Sequence, residues 1–183
     1  MDLTNQFLIA MPSLQDPNFH RTVTYLCAHN DEGAMGIVIN RPLDLRLGEV
    51  LDHMSIEVVN DGVNQMTVLQ GGPVQRERGF VIHEPLGQWD AVLAVGDRIG
   101  VATSRDILAA VAQGDGPSRA IVALGYAGWG AGQLEREVQQ NAWLSGPADS
   151  SIIFDLPYEE RYESAARLLG VDLDRLSGEA GHA

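Results

Sequence analysis

Gly125, Gly128, Gly130 and Gly132 follow an apolar run, Ile121 to Leu124, and precede a polar, helix-favouring run that begins at Gln133. A strand that empties into a glycine loop and then a helix start brings bare backbone N–H groups up to an anionic ligand. The chemistry on offer is capture of a phosphate or carboxylate rather than bond-making. The spacing G-x-x-G-x-G-x-G is neither the dinucleotide fingerprint nor the Walker pattern, and no Lys-Ser/Thr pair follows. Tyr126 and Trp129 add aromatic faces able to stack a planar ligand or anchor a partner protein, and Gln133 is placed to orient a polar group. The same glycines also permit unusual φ angles and close packing of Tyr126 and Trp129, a purely structural use.

Other residue types with chemical potential are scattered. Asn40-Arg41-Pro42 puts an arginine at a strand end, where it can reach a carboxylate or phosphate across a groove or close a local turn. Cys27 and His29 share one face of an alternating run, but same-face neighbours sit roughly 6.5–7 Å apart at ~3.3 Å rise. That exceeds the ~2.6–3.2 Å a thiol nucleophile needs from its base. The five histidines show no metal-binding spacing, and no G-x-S-x-G elbow or D-x-D-x-D loop is present. No catalytic residue, metal site or cofactor motif emerges, so the expectation leans against an enzyme.

Composition bounds the partners. The chain has 183 residues, 45% of them hydrophobic and 20% charged, and a formal net charge of −13 from 25 acids against 12 bases. Every base is an arginine, and no basic block exists to track phosphates. Direct nucleic-acid binding, which rests on clustered positive charge, is disfavoured, as is an anionic membrane surface. One cysteine, no cationic leader and no long apolar window point to a cytoplasmic protein. The remaining partner classes are another protein or an anionic small molecule; oligomeric state is not legible.

The elements that would position these residues can be read from periodicity. Phe7–Met11 reads as a short strand and RTVTYLCAH (21–29) as a longer one, joined through Asn30-Asp31-Glu32-Gly33 to a partner over Ala34–Asn40. Leu47, Val50, Leu51 and Met54 have the spacing of an amphipathic helix. Strands are predicted over Met66–Gln70 and Gly79–His83 around a Gly71-Gly72-Pro73 turn, and over Ala91–Val95 and Ile99–Ala102. A helix over Ser104–Gln113 starts at Thr103 and stops at Gly114. Beyond Gln133 a helix is predicted to about Trp143, then a strand over Ser151–Phe154 and a last helix from Pro157 to Leu169. The class is α+β with a mixed, largely antiparallel sheet, one domain over residues 1–174 and a frayed tail over 175–183.

Three blocks together resemble one family. FLIAMPSLQDPNFHRTVTYLCAHNDEGAMGIVINRP (Phe7–Pro42), LQGGPVQRERGFVIH (Leu69–His83) and ALGYAGWGAGQLEREVQQNAWL (Ala123–Leu144) are similar to the signature blocks of the AlgH/YqgE family of bacterial proteins. The matching positions include Asn40, Arg41, Gly71, Gly72, Pro73, Gly125, Tyr126, Gly128, Trp129, Gly130, Gly132 and Gln133. The resemblance implies a compact α+β domain with a bifurcated, partly barrel-like sheet flanked by helices. It implies no catalytic residues. The family name refers to transcriptional control of alginate production, and with this charge such a role implies action through another protein or a small ligand. The expectation is a non-enzymatic regulatory or binding domain; the alternatives are an enzyme or sensor using loop 125–133, and, against the charge, a direct DNA-binding regulator.

Overall fold

The computed structural model describes residues 1–175, so the expected frayed tail lies, apart from Arg175, outside the described residues. Among the described residues, ten strands and six helices follow in the order β1 (Gln6–Ala10), β2 (Val23–Asn30), β3 (Gly33–Val38), β4 (Pro42–Arg46), α1 (Leu47–His53), α2 (Asp61–Asn64), β5 (Thr67–Gln70) and β6 (Val74–Glu84). Then come β7 (Val92–Ala94), β8 (Gly100–Ala102), α3 (Arg105–Gln113), β9 (Arg119–Gly130), α4 (Gln133–Gln139), β10 (Trp143–Pro147), α5 (Ser150–Phe154) and α6 (Tyr158–Leu168). The main path of the sheet is β10-β1-β2-β3-β9-β6-β8-β7, with β4 and β5 branching from β9. Every pairing is antiparallel except β5 on β9. The fold is α+β, a curled half-barrel sheet with flanking helices.

The branch is the key to the architecture. Residues Val122–Leu124 of β9 pair with β5 along one edge and with β6 along the other. Further along, Ala127–Gly130 pair with β3. The chain between β5 and β6 must therefore cross β9, and it does so through Gly71 and Gly72. Three apolar clusters fill the spaces so formed. Phe7, Tyr25, Ile37, Phe80 and Ile153 pack beneath α5 and α6. Leu47, Leu51, Ile107 and Val81 form a second group under α1 and α3. Leu8, Leu26, Trp129, Leu134 and Trp143 form a third with α4.

Several predicted elements are present with close boundaries: the β2–β3 hairpin, α1, the β7–β8 pair, α3 with Gly114 left-handed at its C-cap (φ +82°), and α6. Others need correction. The expected glycine loop is strand: β9 runs unbroken from Arg119 to Gly130. The following helix stops at Gln139, and Trp143 opens β10, where the pairing of Ala10 with Trp143 overrides helical periodicity. Ser150–Phe154 is a helical turn, not a strand, because the Asp149 side chain caps it by accepting the Ser151 N–H at 2.8 Å. The cap of α3 is Ser104 rather than Thr103. Gly71-Gly72-Pro73 is a crossing rather than a hairpin turn.

Candidate functional site

The two glycine-rich segments meet face to face. A Cβ on Gly71 would lie 2.3 Å from the Gly125 carbonyl oxygen, and one on Gly125 would lie 2.5 Å from the Gly72 oxygen. Gly125 also takes a left-handed φ of +78°, which L residues avoid. Backbone hydrogen bonds lock the crossing: the Gly71 N–H donates to the Leu124 carbonyl at 2.7 Å, and the Val38 N–H donates to the Gly71 carbonyl at 2.8 Å. The Gly71-Gly72 pair and the distant Gly125 are thus explained by one close approach of main chains.

Beyond the crossing, β9 turns its residues to different tasks. Trp129 is buried at 6% exposure, and its indole N–H donates to Glu137 Oε1 at 3.1 Å. Trp143 donates to the same oxygen at 3.0 Å, while Gln133 Nε2 donates to Glu137 Oε2 at 2.8 Å. Gln133 Oε1 in turn accepts the Gly130 N–H at 2.9 Å. Gly132, left-handed at φ +74°, is the N-cap of the seven-residue α4. Gly130, Gly132 and Gln133 therefore build the junction around Glu137.

Asn40 and Arg41 belong to another part of the molecule. They lie past the C-terminal end of β3, about five residues or ~16 Å along the strand direction from Met35. Asn40 Oδ1 accepts the Val23 N–H at 2.9 Å, and its Nδ2 donates to the Arg21 carbonyl at 2.9 Å. Arg41 donates to the carbonyls of Pro17 (2.9 Å), Asn18 (2.6 Å) and His20 (2.9 Å). Burial lowers the Arg41 pKa, and Asp16 partly opposes that shift.

A bulge in β2 between Leu26 and Ala28 separates Cys27 from His29. Cys27 faces the first cluster, where burial pushes its thiol pKa up. His29 faces α4 instead and meets Glu135 Oε1 at 2.7 Å, so the shared face expected from alternation is corrected. His29 Nδ1 accepts the Leu3 N–H at 3.0 Å, which places the ring proton on Nε2, facing Glu135. That hydrogen bond is the largest cause of a lowered Glu135 pKa. Among the described residues no group of three or more His, Cys, Asp or Glu is placed to hold a metal ion. None of their helices is long and apolar enough to cross a membrane.

Among the open grooves is one of about 660 Å³ at the mouth of the half-barrel. Its floor is Met35, Phe80 and Tyr126, with Gly128 and Val74 beside them. Tyr126 and Phe80 meet edge to face at 5.8 Å between centroids. The β2–β3 turn contributes Asn30 and Glu32 to one rim. Arg78 stands on the other rim, its guanidinium 5.5 Å from the Phe80 ring centroid. The groove exists because β6 leaves β9: pairing lapses between Gly79 and Val74, and residues 75–78 are exposed. Of the sequence candidates, Tyr126, Gly128 and Trp129 line it. Met35, Val74, Arg78 and Phe80 were not singled out from sequence, since only the long-range register of β3, β6 and β9 brings them together.

The curled sheet, its branch at β9 and the glycine crossing define a half-barrel α+β protein with a groove at its mouth. The family model described as AlgH-like matches residues 7–174, and the chain belongs to the AlgH-like family. A UPF0301 protein of Nitrosococcus oceani is 59% identical over 98% of this chain and 96% of its own length. One from Thioalkalivibrio sulfidiphilus is 57% identical over 100% and 97%. The solution structure of the AlgH protein from Pseudomonas aeruginosa superimposes with a TM-score of 0.83 at 49% identity, covering 100% of this chain and 97% of that one. A crystal structure of a Corynebacterium diphtheriae protein shares the fold, with a TM-score of 0.77 at 18% identity over 96% and 91%.

Proposed function

We propose that this chain is a non-enzymatic binding domain that takes a ligand in the groove at the mouth of its half-barrel and acts in regulation through that ligand or a partner protein. The observation that carries the reading is the groove itself: a floor of Met35, Phe80 and Tyr126 with a guanidinium, Arg78, held over one edge. Barrel mouths are a recurrent ligand position, and an apolar floor with few polar groups is the usual lining of such sites. The fitting chemical class is an amphipathic molecule, its apolar body on the aromatic floor and its anionic group at Arg78. In a chain of net charge −13, one local arginine admits a small anion while the surrounding field disfavours polyanions.

An anilinonaphthalene sulfonate, an aromatic body with one anionic group, tests the reading by amide chemical-shift titration. Shifts at Met35, Tyr126 and Gly128, lost in Tyr126→Ala, are the expected result. Shifts confined to other surfaces, or unchanged binding by the variant, overturn it.

A further inference from the structure

Arg78 and Glu32 line the same groove from opposite rims, and among the described residues they form no ion pair with each other. Arg78 Nη1 donates instead to Gln75 Oε1 at 3.2 Å. Resting on the proposed function above, we infer that the groove's ligand is a short peptide with free ends. Its C-terminal carboxylate lies at Arg78, its N-terminal ammonium at Glu32, and an aromatic or large aliphatic side chain between them on Met35, Phe80 and Tyr126.

Spacing decides between a peptide and a single amino acid. Gly33, next to Glu32, pairs with Gly130, while Gly79, next to Arg78, pairs with Leu124. Those partners are six residues apart on β9, roughly 20 Å at ~3.3 Å per residue. Even with both side chains leaning inwards, that gap exceeds the separation of charges within one amino acid. An extended chain covers ~3.3–3.6 Å per residue, so three to five residues fit between the two rims.

The local surface suits such an occupant. Gly128 carries no side chain and is exposed beside Tyr126 and Val74, so the ligand backbone can lie close to β9 there. Asn30 adds an amide able to pair with a peptide group. Only the two rim charges ask for free termini.

The test titrates the whole protein with Phe-Leu-Phe, its N-acetyl form and its C-terminal amide, following amide shifts of residues 28–35 and 126–130. The free tripeptide is expected to shift both segments, and each blocked form to bind roughly fivefold more weakly, as for loss of one exposed ion pair. Glu32→Gln is expected to equalise the free and acetylated peptides, and Arg78→Gln the free and amidated ones. Both residues are exposed, so both variants are expected to fold. Equal affinity of free and blocked peptides overturns the inference. So does binding of the aromatic sulfonate without any peptide binding, an outcome that leaves the groove reading intact. Failure of both probes removes the groove reading as well.

Discussion

A Cβ placed on Gly72 would fall 2.1 Å from the carbonyl carbon of Tyr126. The main chain between β5 and β6 thus crosses β9 at a distance no side chain tolerates. Gly71 and Gly72 of one glycine-rich motif and Gly125 of the other are committed to that one contact.

Gly72→Ala and Gly125→Ala are therefore expected to destabilise by about 2–4 kcal/mol, the scale of overpacking against rigid backbone. Gly114→Ala separates this effect from backbone conformation alone. Gly114 is also left-handed at φ +82°, but nothing lies within 4 Å of its added Cβ, so a loss of about 1 kcal/mol is expected. Urea denaturation of the three variants checks the ranking, and equal losses would remove the clash argument.

Glu137 takes two buried indole N–H groups on one oxygen and a Gln133 amide on the other. Glu137→Ala leaves both indoles without an acceptor at 6% and 2% exposure. About 2–4 kcal/mol is expected, since an orphaned buried donor costs about 1–3 kcal/mol. Glu137→Gln keeps one carbonyl oxygen and is expected to lose about half as much. The indole N–H resonances of Trp129 and Trp143 report it directly: both should move together in either variant. Independent behaviour would mean the shared carboxylate does not couple them.

His83 is fully buried, its Nδ1 donates to the Pro85 carbonyl at 3.0 Å, and its Nε2 has no partner. Burial lowers its pKa below the ordinary 6.5, against the smaller opposing effect of the Pro85 hydrogen bond. Between the folded pKa and ~6.5 the unfolded chain binds more protons than the native one, so stability rises with pH there and is lost as pH falls through that window. Denaturation midpoints from pH 7.5 down to 5 are expected to fall, and His83→Phe is expected to flatten the decline. Parallel slopes for both proteins would assign the decline to other groups.

Legibility from sequence followed the range of the interactions. The β2–β3 hairpin, α1 and α6 were readable because alternation, helical spacing and Gly170 after the last helix act within a few residues. Of β9 only Ile121–Leu124 was, since the glycines after it look like a loop until β3 pairs with Gly128 and Gly130. Asp149 was a local signal for α5 that the apolar run Ser151–Phe154 obscured. Tyr126, Gly128 and Trp129 of the groove lay in a motif that drew notice by composition. Arg78 and Phe80 drew none, because their proximity to Met35 depends on how far β6 departs from β9.

Arg41 holds three carbonyls of one loop, those of Pro17, Asn18 and His20, while Asn40 holds the chain on either side of Thr22. Arg21, between them, sits at φ +56° with its guanidinium 4.9 Å above the Tyr162 ring. A non-glycine residue in that region costs about 1–3 kcal/mol unless its surroundings fix it. A lysine ammonium is a single point and cannot span three carbonyls as the planar fork does. Arg41→Lys is therefore expected to lose about 1–2 kcal/mol, one or two hydrogen bonds' worth. Protection against hydrogen exchange should fall first at His20, Thr22 and Val23 while β9 stays protected. Uniform loss across the sheet would mean that Arg41 supports the fold as a whole rather than this loop.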